Sequence, residues 1–205
     1  MHSTRWLFAA LAMLGGATAT ASPALAPPQG AAQLPLQADF IPSSSTLPSL
    51  ADLLTRSKTA RLLYDYTRDS SAVSTTLVSP GSTTLLAPND KAILALVRKP
   101  HEGPASLTAA KANGEVSSNQ EERQRAEYLE RWVKAHVVLE NVELEEGDWE
   151  GREYRTMDGE VVRFAASGED GQGRKLLPGD IEVVGEELAS NGKVLYIAGT
   201  LSLTD

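Results

Sequence analysis

The residues of this chain that could carry chemistry are few. It has three histidines, His2, His101 and His136, and no cysteine. Thiol catalysis, disulfide frameworks, zinc fingers and iron–sulfur clusters are thereby excluded. A site built from several histidines is excluded with them. His136 shares a helical face with Leu129, Trp132 and Val133. It could act as a general base or a ligand. On an apolar face it reads instead as a core histidine with hydrogen-bonded nitrogens, because buried polar groups are paired. No Gly-x-Ser-x-Gly elbow supports Ser/His/Asp catalysis. The run GEDGQG at 168–173 has acids among its glycines and precedes no helix, so it is not a phosphate loop.

Carboxylates are the other reactive groups. Asp90 is a candidate acid, but Asn89-Asp90 follows Pro88 and reads as the cap of a helix over 91–99. Stretch 140–153 holds Glu140, Glu143, Glu145, Glu146, Asp148, Glu150 and Glu153. Clustered carboxylates suit calcium, yet the spacing is not that of an EF-hand loop. A solvated edge is the plainer reading. Asp148 and Glu150 keep open a carboxylate-based hydrolase of cell-wall or storage polysaccharide. Trp149, within the same stretch, is the candidate partner-binding platform. Its alternative is to fold back onto a sheet. No cofactor, metal or catalytic set is expected.

The elements that must position these groups follow from periodicity. Leu50, Leu53, Leu54, Ala60, Leu62 and Leu63 form a helical stripe from residue 47, with Ser49 as its cap. The Ser/Thr/Val run 73–78 predicts a strand, and 83–86 a second one after the Pro80-Gly81 turn. Residues 100–120 read as a long polar loop. Residues 121–138 predict the clearest helix. Its polar face pairs Glu121 with Arg125, Glu127 with Arg131 and Glu130 with Lys134, the acid first in each. Beyond it the chain reads as strands, with Asp158-Gly159 and Asn191-Gly192 as two-residue hairpin turns. The sum is an α+β domain with helices early, hairpins late and no parallel-sheet signature.

Length and composition frame this reading. The chain has 205 residues, which suits one domain and a tail. Apolar residues are 41% and charged residues 22%, a globular balance. The net charge of −8 argues against nucleic acid as a partner. Residues 1–5 carry one positive charge, 6–14 are apolar and 15–21 are small and neutral, the order of a secretory signal peptide. Ala19-Thr20-Ala21 places cleavage before Ser22. The apolar run falls short of the ~20 residues of a membrane span. Loss of Arg5 takes the charge from −8 to −9. Residues 22–46 are rich in Pro, Ala, Ser and Gln and read as a linker or disordered arm. The expected product is a monomer with no transmembrane segment, in the vacuole lumen or outside the cell.

Three segments in order resemble the fasciclin domain. The first is Thr84-Leu85-Leu86-Ala87-Pro88-Asn89-Asp90-Lys91-Ala92-Ile93. The second is the apolar helix ending in His136-Val137-Val138. The third is Ile181-Glu182-Val183-Val184 followed by Asn191-Gly192-Lys193-Val194. Thr156-Met157-Asp158-Gly159 is similar to a family turn between the second and third. The resemblance covers 47–203 and implies a wedge of two β-sheets with several packed helices. It marks Thr84, Pro88, Asp90, His136, Asn191 and Gly192 as structural motif residues.

The family is associated with adhesion and with matrix or cell-wall contacts, usually without enzymatic activity. The resemblance therefore implies a non-enzymatic module binding a protein or glycan partner in the cell wall, matrix or vacuole, similar to single-domain fungal members. Departures are plain. The family often has a second histidine and an acid after Asn-Gly. Here Lys193-Val194-Leu195-Tyr196-Ile197-Ala198 replaces them. No Arg-Gly-Asp occurs, and the connection over 100–120 is long for the family.

Overall fold

Ser49 and Asp52 cap the first helix reciprocally. In the computed structural model, which describes residues 47–144, 149–168 and 173–203, the Ser49 hydroxyl accepts the Asp52 N–H. The Asp52 carboxylate accepts the Ser49 N–H in return. This helix, α1 (Leu50–Arg56), is followed by α2 (Arg61–Arg68) and α3 (Ser71–Val78). The signal and arm expected over 1–46 lie outside the described residues.

Helix α3 overturns the strand expected at 73–78. Ser70 caps it by accepting the Val73 N–H. Thr75 and Thr76 turn their hydroxyls back onto the carbonyls of Ser71 and Ala72, at 2.8 and 2.9 Å. Each β-branched residue thus finds a helical partner for its polar atom. Val73 and Leu77, four apart, are buried among the helices. Packing of that pair outweighs the local preference for an extended chain.

Strand β1 (Thr83–Pro88) is buried at every position. Helix α4 (Asp90–Ala95) ends four residues earlier than the 99 expected, where Leu96 turns extended. The expected loop at 100–120 is mostly helical. It holds a 3-10 turn (Pro100–Glu102), α5 (Ala105–Ala112) and the first turn of α6 (Ser118–Ala135). Gln120 answers Ser117 in a capping box, so the long helix begins before Glu121. It stops at His136, and Val137–Val138 form the short β2. Glu130 and Lys134 pair along the helix at 2.7 Å, and Glu121 and Arg125 at 2.5 Å. Arg131 reaches Asp158 at 3.4 Å, tying the helix to the turn at 156–160.

The remaining strands are β3 (Glu153–Arg155), β4 (Val161–Ser167), β5 (Gly173–Leu177), β6 (Ile181–Ala189) and β7 (Gly192–Ile197). They form one sheet in the order β2-β1-β7-β6-β5-β4-β3. A single bridge, Val138 to Thr156, joins its two ends. β6 is the corner. It pairs with β5 only at Ile181 and Glu182, then follows β7 through a bulge to Ala189. The two limbs diverge past that point, which is the wedge of two sheets expected for this fold. β1 and β7 run parallel over six residue pairs, from Thr83 opposite Gly192 to Pro88 opposite Ile197. No parallel pairing was legible, because the strands are separated by most of the domain rather than by one crossover helix.

The alternation of β1 and β7 divides the core in two. Leu85, Ala87, Val137 and Val194 face α1, α2, α3 and α6. Leu86, Val138, Leu195 and Ile197 face the other way, into the space between the limbs, with Tyr154, Phe164 and Leu176 opposite. A strand buried on both faces reads as a continuous apolar run.

Candidate functional site

The motif residues sit where the limbs meet the helices. The Thr84 hydroxyl is fully buried in β1. It donates to the Glu140 carbonyl at 2.9 Å and accepts the Val142 N–H at 3.0 Å. This clamps the chain after β2 across the mouth of the wedge. Pro88 closes β1 opposite Ile197. Asn89, not Asp90, caps α4, accepting the Ala92 N–H at 2.7 Å. Asp90 caps a different helix. Its Oδ1 accepts the Leu62 N–H at 2.9 Å in the first turn of α2, whose own cap residue Ala60 has no side-chain acceptor. The Asp90 carboxylate thus satisfies an open helix end that no local residue can reach.

His136 is fully buried at the end of α6. Its Nδ1 bonds the Trp132 carbonyl at 2.8 Å, so Nδ1 carries the proton. Its Nε2 accepts the Leu201 N–H at 3.2 Å. The two partners select one neutral tautomer. Burial lowers its pKa to about 4, against a smaller opposing effect of the Trp132 carbonyl. The Trp132 ring packs against it, tilted by 44° with 4.3 Å between centroids. Both nitrogens are hydrogen-bonded inside the core, so the neutral ring presents no free position to a ligand.

Asn191 and Gly192 were expected to form the turn between the last strands. Ala189 pairs with Gly192, so the turn residues are Ser190 and Asn191, and Gly192 begins β7. Asp180 is the one non-glycine of positive φ among the described residues, so Asn191 lacks the conformation of an Asn-Gly turn. Its side chain works over distance instead. Oδ1 accepts the Leu50 N–H at 2.9 Å, and Nδ2 donates to the carbonyls of Leu77 and Ser79 at 2.9 and 3.0 Å. Gly192 is required by close approach. A Cβ there would lie 1.8 Å from the Thr83 carbonyl oxygen.

Of the acidic stretch, Glu145, Glu146 and Asp148 lie outside the described residues. Glu140 pairs with Arg152 at 3.7 Å, and Glu153 with Arg163. Glu150 accepts the Ala166 N–H at 3.2 Å. Among the described residues no three acids or histidines are grouped to hold a metal. Trp149 is half-buried against the core between the limbs, with the Arg174 guanidinium 4.4 Å from its ring centre.

One cleft was not anticipated. It is an open depression of about 630 Å³ between the chain after β2 and the ends of β6 and β7. Lys193 lies on its floor with a side chain only 7% exposed, its Nζ 2.7 Å from Glu186 and 3.9 Å from Glu143. Asn141, Leu188 and Ser190 stand in its walls, with Gly81 and Ser82 from the chain before β1. A lysine heading the run Val194-Leu195-Tyr196-Ile197 was the available signal. Its burial depends on which strand lies beside it.

Comparison with known proteins defines the class. A fasciclin domain family model matches residues 57–201. A FAS1 domain-containing protein of Neurospora crassa is 33% identical over 178 residues, covering 84% of this chain and 72% of that protein. One of Aspergillus fumigatus is 26% identical over 163 residues, 78% of this chain and 66% of its own length. This chain belongs to the fasciclin domain family. The FAS1 domain pair of the insect cell adhesion molecule Fasciclin I is similar at a TM-score of 0.44 and 17% identity, over 69% of this chain and 44% of that one. Among the described residues no helix is long and apolar enough to cross a membrane.

Proposed function

We propose that this protein is a non-enzymatic interaction module of the secretory pathway, holding a protein or glycan partner in the cell wall, matrix or vacuole. Residues 1–21 are its signal peptide, 22–46 an arm and 47–203 the binding domain, acting as a monomer. The reading is carried by His136. The buried imidazole is neutral, and both its nitrogens are committed to Trp132 and Leu201. Thr84, Asp90 and Asn191 are likewise consumed in joining segments distant in sequence. A fold whose motif residues all hold the scaffold leaves its surface for recognition. A copy tagged just after residue 21 tests the location. Recovery from the wall, medium or vacuole is expected. Retention in the cytosol would overturn the reading.

A further inference from the structure

We propose that the cleft over Lys193 binds an uncharged polyhydroxylated ligand, a neutral saccharide unit of a glycan. The proposal rests on the interaction-module reading and narrows it to one place and one ligand class. Its volume of about 630 Å³ is within the range of small-molecule sites. Two carboxylates, Glu143 and Glu186, face one ammonium. The surplus negative charge opposes a phosphate, a sulfate or a uronate. The Lys193 ammonium already neutralises Glu186 at 2.7 Å, so the carboxylate left to a ligand is that of Glu143. A hydroxyl is both donor and acceptor, so vicinal hydroxyls suit a wall that mixes carboxylates, an ammonium and the Asn141 amide, whose Nδ2 already donates to Glu143.

The spacing is specific. Glu186 takes one of the three Lys193 N–H donors at 2.7 Å, whereas Glu143 stands 3.9 Å away, too far for a direct hydrogen bond. A hydroxyl lying beside the pair, bridging it from the cleft, would accept from the ammonium and donate to the carboxylate. Leu188, 56% exposed, offers an apolar wall to the C–H face of a sugar ring. The site is held in advance. Glu186 and Lys193 stand on paired strands, and the buried Thr84 hydroxyl fixes the segment that carries Asn141 and Glu143. Stability does not account for Lys193. It occupies the face of β7 that Leu195 and Ile197 give to the core, and a buried ion pair is a weak stabiliser beside an apolar side chain.

The test is an amide NMR titration of the full chain with laminaritriose, mannotriose and chitotriose. Glucosamine and a sulfated trisaccharide serve as charged comparators. A neutral sugar is expected to shift the amides of Asn141, Glu186 and Lys193. The exposed change Glu143→Gln should weaken it about tenfold while melting temperature holds, and Lys193→Met should weaken it as far with the dispersed amide spectrum of a folded chain. Stronger binding of a charged sugar would overturn the ligand class. Unmoved amides, or variants that bind as well as the parent, would overturn the cleft. Co-sedimentation with insoluble wall material separates the two levels. Retention of parent and variants alike removes only the cleft, and retention of none removes the interaction reading as well.

Discussion

Nε2 of His136 accepts the backbone N–H of Leu201 across 65 residues of sequence, at 3.2 Å. The bond fastens the end of the longest helix to the chain that follows β7. The acceptor is a lone pair that exists only while the ring is neutral, so protonation removes the bond.

Stability should therefore fall with acidity. The folded pKa of His136 is about 4, against 6.5 for an imidazole in the unfolded chain. Between those values the unfolded chain binds the extra proton, so stability is full above 6.5 and declines as pH falls toward 4. The slope approaches ~1.4 kcal/mol per pH unit, and the total loss is ~3 kcal/mol. Urea unfolding at pH 7 and pH 5 should separate by ~2 kcal/mol from this group. His136→Gln should flatten that difference. An unchanged slope in the variant would remove the assignment.

His136→Ala should cost about 2–4 kcal/mol at pH 7, from two buried backbone groups left unpaired and the space vacated beside Trp132. A melting temperature equal to that of a surface control would contradict the core role.

Asp90→Ala should destabilise by about 1 kcal/mol, and Asp90→Asn by much less, because an amide oxygen can still accept the Leu62 N–H. Asn89→Ala should cost a similar amount through α4. Hydrogen exchange distinguishes the two. The first should loosen the start of α2, and the second the start of α4.

At the last turn, Gly192→Ala drives a Cβ into the Thr83 carbonyl and should separate β1 from β7, at a cost above ~3 kcal/mol. Asn191→Asp is a sharper probe. It keeps an acceptor for Leu50 and loses the donors to Leu77 and Ser79. A loss of about 1–3 kcal/mol is expected from denaturant midpoints. No loss would return Asn191 to a mere turn residue.

Thr84→Val removes one buried hydroxyl at nearly constant volume. It should cost about 1–3 kcal/mol and release the segment over 140–144. Thr84→Ser should recover most of it. Faster amide exchange at Val142 in the valine variant alone is the expected signature.

Much of this was legible. The stripe of Leu50, Leu53 and Leu54, the amphipathic face of α6 and the continuous run of β1 are signals of period and burial. The motif order from Thr84 to Asn191 identified the fold. The errors share one cause. Residues 73–78 favour strand locally, but Val73 and Leu77 bury against helices reached only in three dimensions. Asp90 stands beside a helix start and caps another. Asn191-Gly192 has the composition of a turn, yet one side chain crosses to Leu50 and Leu77 while the glycine clears a carbonyl of β1.

The sequence by itself determined what is short-range: which segments are apolar and at what period, where a helix can be capped, and which chemistries lack their residues. Tertiary structure alone decided which N–H each capping oxygen would meet, that β1 and β7 run parallel, and that Lys193 would lie beneath two carboxylates. Side-chain period and capping preference act over a few residues and leave a local pattern. A contact between residues 141 positions apart, as between Leu50 and Asn191, leaves none until packing brings the two together.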